Sequence, residues 1–215
     1  MNSGSDLGMD LRRLTTTTRT ATPIVLAPFT GADIARIHEL CQDPEIQRWT
    51  VVPSPYLREA AEGFVNEHAA AAWRQVAEGT FTAERPGPEL IWGVRVDEGS
   101  SLHGLWGSIG LRPVGEGAVE IGWWLGAGAR GHGIMRAAVA RLVELAFAPD
   151  APIQAGAVHW YAFEGNLPSA AIAQRTGFAY TGIVEKQDRP HWSAVIRPGD
   201  PIAPRNDWPL LTGDG

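Results

Sequence analysis

The fold is decided by one stretch of sequence, Glu120-Ile121-Gly122-Trp123-Trp124-Leu125-Gly126-Ala127-Gly128-Ala129-Arg130-Gly131-His132-Gly133-Ile134-Met135. It begins as an apolar strand, passes through a glycine-rich turn and ends where apolar residues recur at helical spacing. We predict a helix over 130–148 and a buried strand over 153–163 after it. A strand, a helix and a further strand form a crossover between two parallel strands. The stretch therefore predicts a βαβ unit.

The segments on either side of this unit predict an α/β fold with a mixed sheet. Short turns at 98–100 and 115–117 separate runs with a period of two, so these strands should form an antiparallel meander. Further strands are predicted over 24–26, 90–96, 102–113, 118–125, 179–184 and 193–196, and further helices over 31–43, 57–77 and 167–175. Most neighbouring strands should be antiparallel, and the crossover should supply a parallel pair.

Length and composition predict one folded domain with a tail at each end. The chain has 215 residues, of which 44% are hydrophobic and 20% charged, as in ordinary globular proteins. Residues 1–22 form a low-complexity tail, with no ordered element expected over 1–20. The domain is expected over 23–200, and a second tail over 201–215.

Charge and cysteine content exclude several classes of function. The 24 acidic and 18 basic residues give a net charge of −6, the wrong sign for a protein that binds nucleic acid. The single cysteine, Cys41, forbids an intrachain disulfide and fits a cytoplasmic protein; we expect it in the core. No apolar run is long enough to span a membrane, and the scattered histidines predict no metal site.

The glycine-rich turn predicts an anion site. The first backbone amides of a helix lack intrahelical partners and lie at the positive end of its dipole. Gly131 and Gly133 leave these amides accessible, while Arg130 and Arg136 add positive charge. The expected ligand is a phosphate or pyrophosphate, although the two glycines alone also fit a simple tight turn. The dinucleotide fingerprint and the P-loop motif are both absent.

The sequence from Glu120 through Gly133 resembles the acyl-CoA pyrophosphate motif of the GCN5-related N-acetyltransferase (GNAT) superfamily. The resemblance is to its branch of ribosomal-protein N-terminal acetyltransferase-like (RimJ/RimL-type) enzymes. Asn166-Leu-Pro-Ser169 followed by Thr176-Gly177-Phe178 is similar to a second signature of this branch. Similarity also extends to 26–30 and 43–46, so it covers about residues 23–200. It implies a GNAT-like fold in which the two parallel strands splay apart.

The resemblance implies an N-acetyltransferase that moves the acetyl group of acetyl-CoA to a primary amine, on a protein N-terminus or a small molecule. The alternative is a non-catalytic acyl-CoA-binding sensor module. A monomer or a homodimer is expected. The residues that would bind the co-substrate are Trp124, Leu125, Arg130, Gly131, His132, Gly133, Ile134, Met135, Asn166 and Ser169.

Two residues are the candidate catalytic groups. An amine is mostly protonated at pH 7, so acyl transfer needs a proton acceptor, and Glu120 is the candidate base. Its alternative role is an exposed or ion-paired strand carboxylate. Ser169 would bond to or protonate the leaving sulfur, or merely cap a helix. Ala173 stands where many relatives outside this branch carry an acidic tyrosine.

The remaining candidates have structural alternatives as well. The resemblance implies that a backbone amide near Trp124 or Leu125 stabilises the oxyanion and that Asn166 holds the pantetheine arm, while asparagine also serves as a helix N-cap. His132 either donates to the cofactor or faces solvent. Met135 replaces the glycine or alanine that is usual in the family. Aromatic walls for an acceptor are expected from Trp49 and Trp123 or Trp124, in a pocket built by 44–60 and 186–195.

Overall fold

A computed structural model describes residues 10–209 as eight strands and six helices. The strands are β1 (Leu14–Thr17), β2 (Pro23–Ala27), β3 (Leu90–Val96), β4 (Gly104–Gly115), β5 (Ala118–Leu125), β6 (Ala157–Phe163), β7 (Ala179–Lys186) and β8 (Arg189–Ile196). The helices are α1 (Ile34–Leu40), α2 (Pro44–Trp49), α3 (Arg58–Gly63), α4 (Ala69–Ala77), α5 (Ile134–Phe147) and α6 (Leu167–Arg175). A π-helical turn, Phe64–His68, joins α3 to α4. Within these residues no helix is long and apolar enough to cross a membrane.

All strands belong to one sheet, in the order β1-β2-β3-β4-β5-β6-β8-β7. Every neighbouring pair is antiparallel except β5 and β6, so the predicted mixed sheet and its βαβ crossover through α5 are confirmed. The parallel pairing runs only from Ala118 opposite Ala157 to Ile121 opposite Trp160. Beyond Ile121, β5 stays paired with β4 and β6 with β8, while β5 and β6 part. This is the splay that the resemblance implied.

Two apolar clusters hold helices against the sheet. The larger contains the inward residues of β3, such as Trp92, and the buried side of α5, such as Leu142. Alternation along β3 and helical spacing along α5 bring these residues onto facing surfaces. The smaller cluster lies under α1 to α3 and includes Ile37, Ile46 and Leu105. The splayed end of β5 borders both clusters, because Trp123 packs on the first and Trp124 on the second.

Several element boundaries differ from the sequence prediction. The helix expected to begin at Arg130 begins at Ile134, because Gly131 and Gly133 have positive φ and cannot continue a helix. The segment after the first helix, expected as a link, contains α2, which Asp43 caps by accepting a hydrogen bond from the Glu45 N–H. Here Pro44 occupies the first turn of a new helix, a position that needs no N–H.

Both predicted tails contain residues that pack on the sheet. The expectation of no ordered element over 1–20 is wrong for Leu14–Thr17, which pair with β2. Threonine favours extended backbone, so a threonine-rich run forms an edge strand as readily as a loop, and Leu14 anchors it in the core. At the other end Trp208 is 1% exposed. The rest of the predicted tails, 1–9 and 210–215, lies outside the described residues.

Candidate functional site

The loop before α5 presents backbone amides to a cavity. Gly131 and Gly133 have φ of +79° and +75°, and a Cβ at Gly131 would meet no atom within 4 Å. The first helical hydrogen bond of α5 runs from the Ala137 N–H to the Gly133 carbonyl. The amides of residues 134–136 therefore precede the helical bonding pattern. This geometry suits an anion, as the sequence predicted.

A cavity of about 500 Å³ extends from this loop to the splayed strands. Its walls come from β5, α2, α6 and the start of α5. They include nine of the ten predicted co-substrate residues: Trp124, Leu125, Arg130, Gly131, Gly133, Ile134, Met135, Asn166 and Ser169. Past Ile121, every second N–H of β5 points to the side that β6 has left. An N–H in this position has the geometry required of the oxyanion donor that the resemblance implied near Trp124 or Leu125.

Arg130 is engaged with protein groups. Its Nη2 lies 2.6 Å from the Asp43 carboxylate, and its Nε donates to the Leu125 carbonyl at 3.0 Å. The Asp43 side chain is only 16% exposed and also caps α2. Arg130 thus joins the loop to α2, a role that its position in the motif did not reveal.

Asn166 and Ser169 meet at the start of α6. The Asn166 side chain accepts a hydrogen bond from the Ser169 N–H at 3.2 Å, so the N-cap role holds. The Ser169 hydroxyl accepts from Trp160 Nε1 at 3.2 Å. Since a hydroxyl has one donor besides its lone pairs, Ser169 keeps its own O–H for a group in the cavity. Residue 173 is a buried alanine, so this position of α6 offers the cavity no proton-donating side chain.

A second cavity of about 330 Å³ adjoins the first at Gly131 and Gly133. The turn between β1 and β2, including Arg19, forms one wall, while Arg136, Arg175 and the predicted His132 also line it. Burial and the charges of Arg19 and Arg175 lower the pKa of Arg136. None of these three arginines forms an ion pair with a carboxylate within residues 10–209. The second cavity is therefore strongly cationic.

Glu120 lines neither cavity. Its Oε2 atom lies 2.6 Å from Arg112 Nη2 and 2.7 Å from Lys186 Nζ, which is the ion-paired alternative considered from the sequence. Lys186 also lies 3.7 Å from the centre of the Tyr161 ring. An amine that approaches Glu120 has to displace one of two cations.

The other predictions are placed as follows. The side chains of Ile134 and Met135 are buried, so these residues offer backbone atoms to the cavity and Met135 fills core volume. Trp49 and Trp123 line the larger cavity, and Cys41 is buried as expected, with its pKa raised to about 12 by burial. In the part of the chain that the structure describes, no group of three or more His, Cys, Asp or Glu could hold a metal ion.

Sequence reasoning missed the arginines that line the second cavity and the pair formed by Glu89 and His68. Arg19 lay in a predicted tail, and Arg175 was placed on a helix without a role. Glu89 lies over the sheet beside β5, where its Oε2 is 3.9 Å from His68 Nε2. No local sequence pattern predicts these contacts, because each joins segments that are distant in sequence.

This site and this fold place the chain in a known class of enzymes. The chain belongs to the acetyltransferase (GNAT) domain family, whose model matches residues 24–179. The predicted class, an N-acetyltransferase with acetyl-CoA as co-substrate, is confirmed at the level of this family. A comparison with curated proteins finds no significant match.

Solved structures share the fold at low sequence identity. RimJ of Mycobacterium smegmatis, in complex with CoA-disulfide, has a TM-score of 0.67 at 16% identity, over 86% of this chain and 87% of that one. RimL, a ribosomal alpha-N-protein acetyltransferase in complex with coenzyme A, has a TM-score of 0.63 at 16% identity, over 85% of this chain and 95% of that one. The ribosomal-protein-S5-alanine acetyltransferase of Vibrio fischeri has a TM-score of 0.64 at 14% identity, over 87% of this chain and 98% of that one. These neighbours, at 14–16% identity, confirm the predicted fold.

Proposed function

We propose that this protein acetylates a primary amine, on a protein N-terminus or a small molecule, with acetyl-CoA bound in the two adjoining cavities. The single observation that carries the proposal is the glycine loop whose free amides open onto the gap between β5 and β6. Structural neighbours that are complexes with CoA, named as ribosomal-protein acetyltransferases, support a peptide or protein amine. A cytoplasmic location fits the lone buried cysteine.

Each chemical group of acetyl-CoA can be assigned to residues that line the two cavities. The amides around Gly131 and Gly133 suit the pyrophosphate, and the three arginines of the second cavity suit the further phosphate on the CoA ribose. Asn166, which lines the larger cavity, would hold the pantetheine arm. Acetyl-CoA supplies the reactive thioester. An N–H of splayed β5 stabilises the oxyanion, and the Ser169 O–H donates toward the leaving sulfur.

Calorimetry and thiol release together test the proposal. Titrations with CoA and acetyl-CoA measure binding, and release of free thiol from acetyl-CoA is followed with peptides that begin with serine or alanine and with spermidine. Thiol release with formation of the acetylated amine supports the proposal. Binding without thiol release from any of these amines favours the sensor, and no heat with either CoA or acetyl-CoA refutes both.

Two substitutions of equal size isolate the charge at the loop. Asparagine tolerates positive φ and aspartate has the same shape, so Gly131→Asn and Gly131→Asp impose similar backbone strain. A carboxylate about 4 Å from a phosphate costs several kcal/mol at an intermediate dielectric constant, so Gly131→Asp should bind CoA at least about tenfold more weakly than Gly131→Asn. Equal affinities would show that the phosphate does not lie at this loop.

A further inference from the structure

Glu89 lies over a pair of glycines at the point where the sheet opens. Gly110 of β4 and Gly122 of β5 are cross-strand partners, and Ile121, just before Gly122, is the last β5 residue paired with β6. Glu89 Oε1 lies 3.8 Å from the position that a Cβ of Gly122 would take, and a methyl group at Gly110 would overlap it. Only a position without side chains allows a carboxylate to lie flat on the sheet here.

Glu89, like Glu120, lines neither cavity, but it lies over Gly122, next to the part of β5 that forms the cavity wall. Residues 120, 122 and 124 share one face of β5, and successive same-face residues lie about 7 Å apart along a strand. Glu89 therefore lies about one such step from Trp124, which lines the cavity. A primary amine between them would touch the carboxylate on one side and reach the splayed backbone on the other.

Glu89 has fewer charged partners than Glu120, so its carboxylate is more available to accept a proton. Within residues 10–209, His68 is its only ion-pair partner, at 3.9 Å, whereas Glu120 is shared by two cations. The Glu89 side chain is 26% exposed and that of His68 is 60% exposed, so the pair connects the sheet surface to solvent. The other charged or titratable groups on this face include Arg112 and Glu120, whose positions adjoin the two glycines in register, and Lys186, which pairs with Glu120. His159 lies opposite Glu120 on β6, and Arg95 lies further along β3.

His68 is placed by an irregular segment of helix. It is the last residue of the π-helical turn, and its ring stacks on Phe64 at 5.9 Å between centroids. Phe64 and Trp124 both pack on the smaller apolar cluster, so the turn forms a wall beside the splayed strand. Single π-helical turns occur frequently at functional sites. The Glu89 carboxylate also raises the pKa of His68, against the opposing effect of partial burial.

We propose that Glu89 receives the proton of the acceptor amine and that His68 passes it to solvent, a step that rests on the proposed acetyl transfer. The amine nitrogen forms the C–N bond to the acetyl carbon while the C–S bond breaks. The proton lost by nitrogen goes to the Glu89 carboxylate. The thiolate takes a proton from water, either directly or through the Ser169 hydroxyl, which regains its own proton from the same water. Glu120 stays paired with Arg112 and Lys186 beside this position and does not receive the proton.

The test compares Glu89→Gln with Glu120→Gln, using Glu98→Gln, an exposed turn carboxylate, as the control. The measurements are kcat and KM over pH with acetyl-CoA and the peptides and spermidine named above, with CoA affinity from calorimetry. Glu89→Gln should lower kcat at pH 7 at least about 100-fold, the usual contribution of a general base, and leave CoA affinity unchanged. Its rate should recover as pH rises, because the amine then loses its proton unaided.

A second variant moves the carboxylate without removing it. Gly110→Ala would push Glu89 off the sheet, so its kcat should also fall while its CoA affinity stays at the wild-type value. If Glu89→Gln keeps the wild-type rate and pH profile while the wild type acetylates an amine, the assignment of Glu89 fails and the proposed function stands. If the large loss falls on Glu120→Gln instead, Glu120 is the base. If the wild type binds CoA but acetylates none of these amines, the proposed function itself fails.

Discussion

Removing the C-terminal residues after Asp200 should destabilise the whole domain. Trp208 is 1% exposed, and its ring lies 5.6 Å from Trp160 and 5.5 Å from Tyr180. Its indole N–H donates to the carbonyl of Phe178 at 2.7 Å, in a buried position. The segment also reaches α6, where the Arg205 N–H donates to the Gln174 carbonyl.

The size of the effect follows from these contacts. Replacing a buried tryptophan by alanine costs about 3–5 kcal/mol, because apolar contact is lost and a cavity remains. Trp208→Phe keeps most of the ring but leaves the Phe178 carbonyl without its donor, which costs about 1–3 kcal/mol. With a urea m-value of about 2 kcal/mol/M, Trp208→Ala should lower the unfolding midpoint by roughly 2 M, and Trp208→Phe by about 0.5–1.5 M.

Urea titrations followed by circular dichroism measure these midpoints without relying on tryptophan fluorescence, which the substitutions themselves change. The comparison includes the full chain, the two Trp208 variants and a chain that ends at residue 200. The shortened chain should be at least as unstable as Trp208→Ala. If it unfolds at the same urea concentration as the full chain, residues 201–209 do not stabilise the domain and the inferred packing of Trp208 is wrong.

Three further predictions concern the site and its surroundings. If Ser169 donates toward the leaving sulfur as proposed, Ser169→Ala should lower kcat by a larger factor than it raises the Kd of CoA; a loss confined to CoA affinity, seen by calorimetry, would contradict this role. Arg175→Gln should reduce the preference for CoA over 3′-dephospho-CoA, and an unchanged ratio of the two Kd values would move that phosphate out of the second cavity. Cys41, whose pKa is raised to about 12, should not react with a disulfide reagent at pH 8 until the protein unfolds; labelling of the native protein at the rate of the urea-unfolded chain would contradict its burial.

The sequence predicts the centre of this molecule better than its edges. The run from Glu120 to Met135 carries its own strand pattern, turn residues and helix start, so the βαβ unit follows from local chemistry. Leu14–Thr17 pair with β2 across a short turn, but their run of threonines lacks the apolar alternation that indicates a strand. Trp208 is held by packing with residues that are distant in sequence. An edge strand and a terminal tryptophan are therefore visible only in the folded chain.

The same distinction applies to the candidate site. The partnership of Glu120 with Arg112 follows from the short turn between β4 and β5, since that turn sets the register of the two strands. Lys186 reaches Glu120 from a strand 66 residues away, and no spacing in the sequence indicates this contact. Strand alternation and the family resemblance both favoured Glu120 as the base. Alternation identifies a face of the sheet and gives no information about which cations share that face.

Arg130 shows why a charged residue in a binding motif need not touch the ligand. Its guanidinium is held by Asp43 and by the Leu125 carbonyl, and Asp43 in turn caps α2. Because α2 carries Ile46 and Trp49 into the larger cavity, the ion pair fixes the distance between the amide loop and the opposite wall. The Asp43 carboxylate partly neutralises this guanidinium, so a phosphate gains less from Arg130 than from an arginine without an ion pair. We therefore expect the loop amides and the arginines of the second cavity to supply most of the anion binding, and Arg130 to contribute mainly by positioning α2.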